Sequence, residues 1–464
     1  MLSKLQRTWI LIILMMGTFI VAMTVTVTNT MLPAIIKSYQ ITATTAQWLT
    51  SGATLVSGIM IPIAAYFIKR FQSKTYFLSA MIIFSFGALL DSIAPNFTVL
   101  LVGRLIQAVG CGMLMPFAQI VLMTIYPKEN HGFVMAIYAL GSTFAPVIAP
   151  SLAGLVIDSL GWQSMFTILL IIGLIIIVLG FAFMKNVTET YKGRFPLLAA
   201  ILSSVGFCAL LIGLGNLSTA SILSMETGGA LVIGLASLGL FVYTQLRSEI
   251  ILLNLQIFRY QLFRTAVYMS VVMYLVCMGN GVLLPIFTQS VLGHSATVYA
   301  LVTLPGAFVM AVVTVFSGRI YDKLGSKPLM ICGIFMLTLG SILGIMFHQN
   351  NGLLHIGIVS CLLSAGTGFL NTPATTMGLS DLEGKNRVDG SSIFNTLRQI
   401  SSSIASTFAI VAYTIISSKQ GNNISGIKGT YIFYLGFSVL AAIIAFNFLR
   451  NYNKVHITTS DGEK

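Results

Sequence analysis

Long apolar runs, broken by short polar stretches, set the pattern of the chain. Fourteen runs reach the roughly 20 residues that an α-helix needs to cross a hydrocarbon core. They cover 9–31, 48–68, 76–94, 98–125, 134–157, 163–184, 196–215, 227–246, 265–289, 296–318, 328–347, 353–378, 391–416 and 430–449. The first run is too long for the apolar core of a signal peptide, and no small-residue cleavage pattern follows it, so it reads as a retained span. The expected fold class is an all-α polytopic membrane protein. Between the eighth and ninth runs, residues 247–264 (RSEIILLNLQIFRYQLFR) are apolar on one side and basic on the other. This pattern predicts a helix lying in the interface at one membrane surface.

Charge sets the orientation. Only 8% of the 464 residues are charged, mean hydropathy is +0.93, and the net charge is +13. Such an excess of base in a membrane chain points to loops facing anionic lipid, not to nucleic acid. An even number of spans puts both termini on one side. With that side cytoplasmic, nearly all of the 25 Lys and Arg fall in or beside cytoplasmic segments. Lys37, Lys419 and Lys428 fall outside, and Arg104 and Arg398 lie within spans. The positive-inside rule therefore predicts cytoplasmic termini. The five cysteines all sit in apolar runs and read as small hydrophobes, not as a disulfide frame or metal site.

Two loops resemble each other. AAYFIKRFQSK (64–74) and SGRIYDKLGSKP (317–328) each join two spans of similar length, a weak internal repeat of the kind found in secondary transporters. The expected organisation is an N-terminal six-helix bundle over 1–190, two additional spans over 191–246, the interfacial helix over 247–264, and a C-terminal six-helix bundle over 265–464.

Arg104 poses the sharpest chemical question. A charge at mid-membrane costs at least about 3 kcal/mol on insertion scales, so this guanidinium must face the protein interior or a wet cavity. None of the twelve acids lies near the middle of a span. Asp91, on the preceding antiparallel span, lies at similar depth, since it stands six residues before Phe97, the end of the 94–97 turn, and Arg104 seven residues after it. Two arrangements stay open: a pair with Asp91, or neutral acceptors such as Gln107, Asn29, backbone carbonyls and water. Asn280, Gln289, Asn371, Asn395, Arg398 and Gln399 are further polar groups inside apolar runs, where such side chains turn inward and bond between helices. With Asn29, Gln107 and an adaptable lining from Met23, Met113, Met115, Met278 and Phe144, they outline a polar-dotted cavity between two bundles. No nucleotide loop, triad, redox centre or spaced metal set appears, which argues against an enzyme and against ATP drive.

Several motifs carry a family resemblance. SGRIYDKLGSKP, with Gly318, Asp322 and Gly325, resembles the loop signature of the major facilitator superfamily, in which the acid acts as a conformational latch. In the first-half copy Lys69 stands at the acid's place and Gln72 at the second Gly. RLIQAVGCG (104–112) resembles the superfamily's fourth-helix signature. GSTFAPVIAPSLAGLVID (141–158), with Gly141, Pro146, Pro150 and Gly154, resembles its antiporter signature on the fifth helix; Ala149 replaces the usual Gly. TVTVTNTMLP (24–33), NTPATTMGLSDL (371–382) and SSIFNTLRQISSSIAS (391–406) resemble the 14-span drug:proton antiporters of the EmrB/QacA type, though Thr24 stands where many members carry Asp.

The resemblance implies a major facilitator fold, two six-helix bundles plus two extra transmembrane helices. It implies a bacterial plasma-membrane exporter of amphipathic or cationic drugs in exchange for protons, with Arg104 and Asp91 as proton-coupling candidates. No cofactor is expected, the proton gradient being the drive. The expected partners are small-molecule drugs, protons and the lipid bilayer, with function as a monomer. A transporter of one metabolite or lipid is the alternative, and a non-transport membrane sensor the remoter one.

Overall fold

A computed structural model describes residues 3–188, 190–191, 193–217, 224–248, 250–349 and 352–460. Fourteen α-helices run through them: α1 (Lys4–Tyr39), α2 (Ala43–Arg70), α3 (Ser73–Ser92), α4 (Phe97–Ile125), α5 (His131–Leu160), α6 (Trp162–Phe183), α7 (Leu197–Asn216), α8 (Ala230–Arg247), α9 (Gln261–Pro285), α10 (Ala296–Leu324), α11 (Lys327–Ile345), α12 (Leu353–Ser380), α13 (Gly384–Gln420) and α14 (Asn423–Ser460). Each predicted span lies on one of them, and there is no strand among the described residues. A helix satisfies its backbone groups within one segment, without water, which suits continuous apolar runs of this length.

Local chemistry sets the ends. The Ser3 hydroxyl accepts from the Gln6 N–H, and the Gln6 side chain answers at the Ser3 N–H, which closes a capping box at the start of α1. Asn96 caps α4 and Ser295 caps α10 in the same side-chain-to-backbone way. Gly325 ends α10 at φ 75°, a left-handed conformation that glycine adopts without a Cβ penalty.

The chain forms two compact units. The first comprises Met1–Leu211, Ala230–Gln256 and Leu382–Thr396; the second comprises Ile212–Gly229, Ile257–Asp381 and Leu397–Lys464. Within the first, α4 packs on α1, α2 and α3, and α6 on α1 and α3. Within the second, α12 packs on α9, α10 and α11, and α14 on α9 and α11. The pairings match when each helix number is shifted by eight, so the weak loop repeat marks a repeat of architecture. Most of the additional helix pair and the first turns of α13 belong to the first unit.

The expected helix over 247–264 is not continuous. Arg247 ends α8, a short 3-10 turn spans Leu255–Arg259, and α9 begins at Gln261. The reason is a competing cap. The Gln245 Oε1 accepts from both the Leu252 and Leu253 N–H groups, at 2.6 and 3.0 Å. Asn254 Oδ1 accepts from the Gln256 N–H at 3.1 Å. Leu252, Leu253 and Ile257 are buried in protein and so are not spread on a lipid surface.

Candidate functional site

The interior of the first unit is built around α3 and α4. These helices approach closely because glycines face each other. A Cβ at Gly87 would sit 2.5 Å from the Gln107 backbone nitrogen, and one at Gly103 would collide with Asp91 Oδ1. The missing side chain at Gly103 thus lets the Asp91 carboxyl reach the α4 backbone, one residue from Arg104, at the depth that the sequence predicts.

Both charges are deeply buried, Asp91 at 0% exposure and Arg104 at 2%. Arg104 Nη1 donates to Gln107 Oε1, one helical turn on, and the guanidinium lies 5.9 Å from the Phe166 ring centre. The two carboxylate oxygens of Asp91 have no hydrogen-bond partner, and neither do Arg104 Nε, Gln107 Nε2 and Ser85 Oγ. Of the two arrangements open from sequence, the neutral acceptor Gln107 holds the guanidinium, and no hydrogen bond joins Asp91 to it. Asn29 takes no part. Its Oδ1 accepts from Thr50 Oγ1 at 2.9 Å, tying α1 to α2. Buried polar atoms without partners are costly, and here several of them gather between α3 and α4.

The remaining candidates separate into distinct clusters. In the first unit, Asn395 Nδ2 and Ser391 Oγ both donate to Gln119 Oε1 at 2.8 Å, joining the start of α13 to α4. Met23 lines an apolar crevice of about 300 Å³ with Met15, Met16, Phe19, Gly141 and Ile172. Phe144 is half-buried on α5. Pro146, Pro150 and Gly154 lie on α5 but outside the residues whose side chains are described.

In the second unit, Arg398 is clamped by neutral groups. Its Nε donates to Ser270 Oγ at 3.0 Å, and its Nη2 to Asn371 Oδ1 at 2.8 Å and Thr375 Oγ1 at 2.6 Å. The Tyr274 ring centre lies 5.4 Å from the guanidinium carbon. Asn280 Oδ1 accepts from the Tyr431 hydroxyl at 2.6 Å. On α10, Gly318 is buried, Asp322 lies one turn further on, and Gly325 closes the helix.

The first-half loop holds an ion pair that sequence reasoning missed. Lys69 Nζ reaches Asp389 Oδ1 at 2.6 Å and also donates to the Leu252 carbonyl at 3.3 Å. Beside it, Arg387 donates to the Met123 carbonyl at 2.8 Å and to the Leu382 carbonyl at 2.7 Å. A base on α2 and an acid on α13 therefore make a charge-reversed contact where the loop signature has an acid. Gln119 was also missed. It is the polar residue in MPFAQIVLM, and that interruption of an apolar run was the available signal.

The model of the Major Facilitator Superfamily matches residues 14–406. The chain belongs to the Major Facilitator Superfamily. A Bacillus subtilis relative, the uncharacterized MFS-type transporter YhcA, is 35% identical over 87% of this chain and 76% of its own length. The lincomycin resistance protein LmrB of Bacillus subtilis is 32% identical, over 90% of this chain and 87% of its own. Among solved structures, the human organic anion transporter MFSD10 superposes with a TM-score of 0.69. It covers 96% of this chain and 100% of the other at 10% identity, a likeness of fold alone. The superfamily membership makes this chain a polytopic membrane transporter, and its relatives are transporters, not enzymes.

Proposed function

We propose that this transporter exports amphipathic or cationic drugs from the bacterial cytoplasm in exchange for protons, by alternating access, with both termini cytoplasmic. The observation that carries the proton half is the Asp91 carboxyl, fully buried and unpartnered beside the Arg104–Gln107 pair. Inside a bundle, gain or loss of a proton at such a group changes its interaction with the nearby guanidinium more than at any exposed acid. Drug arrival and protonation at Asp91 then compete within the same bundle. The drug half rests on similarity to a lincomycin resistance protein and on the Met-rich crevice at α1 and α5, whose soft lining adapts to varied apolar shapes.

A second reading is export or uptake of one metabolite. The Arg398–Ser270–Asn371–Thr375 set favours it, because four groups locked in one hydrogen-bonding geometry suit a single polar ligand. Reconstituted protein separates the two. Drug addition to proteoliposomes at several imposed pH gradients should move protons in the opposite direction to drug, for chemically unrelated amphipathic cations. Drug flux that ignores the gradient contradicts antiport, and flux of one polar compound alone supports the second reading.

A further inference from the structure

The additional helices α7 and α8 carry a cavity that the transport cycle above does not use. The pair packs tightly where glycine permits it; a Cβ at Gly234 would sit 2.6 Å from the Leu210 backbone nitrogen. Most of the outer surface of α8 is exposed. At the mouth of the hairpin, where residues 195–199 meet 243–248 and Ile250, a cavity of about 440 Å³ opens. Phe195, Leu197, Leu198, Tyr243, Gln245 and Arg247 line it.

Three features point to one kind of occupant. First, Gln245 is 5% exposed; its Oε1 is engaged by Leu252 and Leu253, yet its Nε2 has no hydrogen-bond partner. Gln245 also lines the cavity, so a small turn of its amide would bring this unsatisfied donor to an acceptor oxygen of a ligand. Second, Arg247 is exposed at the rim, its guanidinium carbon 5.1 Å from the Tyr243 ring centre, and exposed Arg194 precedes Phe195. Glu249 lies outside the described residues, and Lys192 with it; the net charge of these flanking segments is positive. Third, Leu197 and Leu198 are 61% and 62% exposed and continue the cavity wall along the apolar side of α7. One wall is fixed in place. The Phe195 ring lies 5.0 Å from that of Tyr66, and the Tyr66 hydroxyl donates to the Gly193 carbonyl at 3.1 Å.

A basic rim, one buried unsatisfied donor and an apolar runway match an anionic phospholipid. We propose that this cavity binds the phosphate–glycerol head of an anionic membrane lipid, with Arg247 on the phosphate, Gln245 Nε2 on a phosphate or ester oxygen, and an acyl chain along Leu197 and Leu198. In the proposed orientation this is the cytoplasmic leaflet, where basic segments meet anionic lipid. The site is independent of the proton and drug assignments, so its test stands apart from theirs.

The test is native mass spectrometry of the full chain in detergent, titrated with phosphatidylglycerol, with phosphatidylcholine, or with glycerol phosphate alone. Wild-type protein should retain one phosphatidylglycerol at least tenfold more tightly than phosphatidylcholine, and glycerol phosphate at lipid concentrations should not displace it. Arg247→Gln should weaken that lipid about tenfold, the size of one lost charge-assisted contact. Gln245→Glu keeps the acceptor for Leu252 and Leu253 but removes the donor, and should also lose the lipid. Leu198→Trp blocks the runway from an exposed position and should do the same without changing charge. Because Arg247 and Leu198 are exposed, those two variants decide the matter if Gln245→Glu does not fold. Equal retention of both lipids, or unchanged retention in Arg247→Gln and Leu198→Trp, overturns the proposal. Displacement by glycerol phosphate also overturns it, in favour of a site for soluble anions.

Discussion

Lys69→Met offers a quantitative test of the charge-reversed contact at the first-half loop. The substitution keeps most of the apolar stem but strands the Asp389 carboxylate, whose side chain is 3% exposed. Losing one partner of a buried ion pair costs about 3–5 kcal/mol, and the 14% exposure of the Lys69 side chain places this case near about 3 kcal/mol. Asp389→Asn is milder, about 1–2 kcal/mol, because the lysine stem is able to carry its ammonium towards the solvent edge. The double variant Lys69→Met/Asp389→Leu removes both charges and should recover much of the loss, leaving a coupling energy of about 1.5–3 kcal/mol. Chemical denaturation of purified protein in detergent measures all three, followed by a probe confined to the first unit. Additive single effects, with coupling under about 0.5 kcal/mol, would refute the view that this pair fixes the start of α13 against α2.

Asp322→Asn should slow turnover while leaving drug affinity within about twofold, since Asp322 sits in the last turn of α10; transport kinetics alongside equilibrium drug binding check this. Gly87→Ala should destabilise the first unit by at least about 1–3 kcal/mol, because the new methyl meets backbone on α4 and no flexible side chain can yield, and thermal unfolding measures it. Single cysteines at positions 37, 419 and 428 should react with impermeant reagent in intact cells; reaction only after permeabilisation reverses the topology. Under the second reading, Arg398→Lys should lower transport of the single polar substrate more than tenfold, as an ammonium cannot keep the guanidinium's geometry towards Ser270, Asn371 and Thr375; under the first it should leave drug export intact.

Helix positions were legible because a span must be apolar for about 20 residues, and no tertiary contact overrides that demand. The segment 247–264 misled for a physical reason. Its apolar and basic residues alternate as an interfacial helix would have them, but the Gln245 amide captures two backbone N–H groups and stops the turn. Hydropathy is blind to such capture. For Arg104, the spacing to Gln107 was visible as a one-turn neighbour, and the antiparallel turn put Asp91 at the right depth. Which of the two holds the guanidinium depended on the Gly87 and Gly103 approach, a matter of interhelical distance. Lys69 and Asp389 lie 320 residues apart, and both looked like ordinary loop charges until folding joined them. The partners of the polar candidates were not legible either, since Asn395 meets Gln119 and Asn371 meets Arg398 only once the helices pack.

The central claim is that Asp91 carries the exchanged proton, and proton counting in proteoliposomes tests it most directly. The comparison is wild type, Asp91→Asn, Arg104→Gln and the double variant, each verified as folded by its thermal transition. The measurement is protons moved per drug molecule under an imposed pH gradient. Asp91→Asn should still bind drug but move no protons with it, and the double variant should fold yet stay uncoupled. Wild-type proton-to-drug exchange in Asp91→Asn would contradict the account and remove Asp91 from the mechanism.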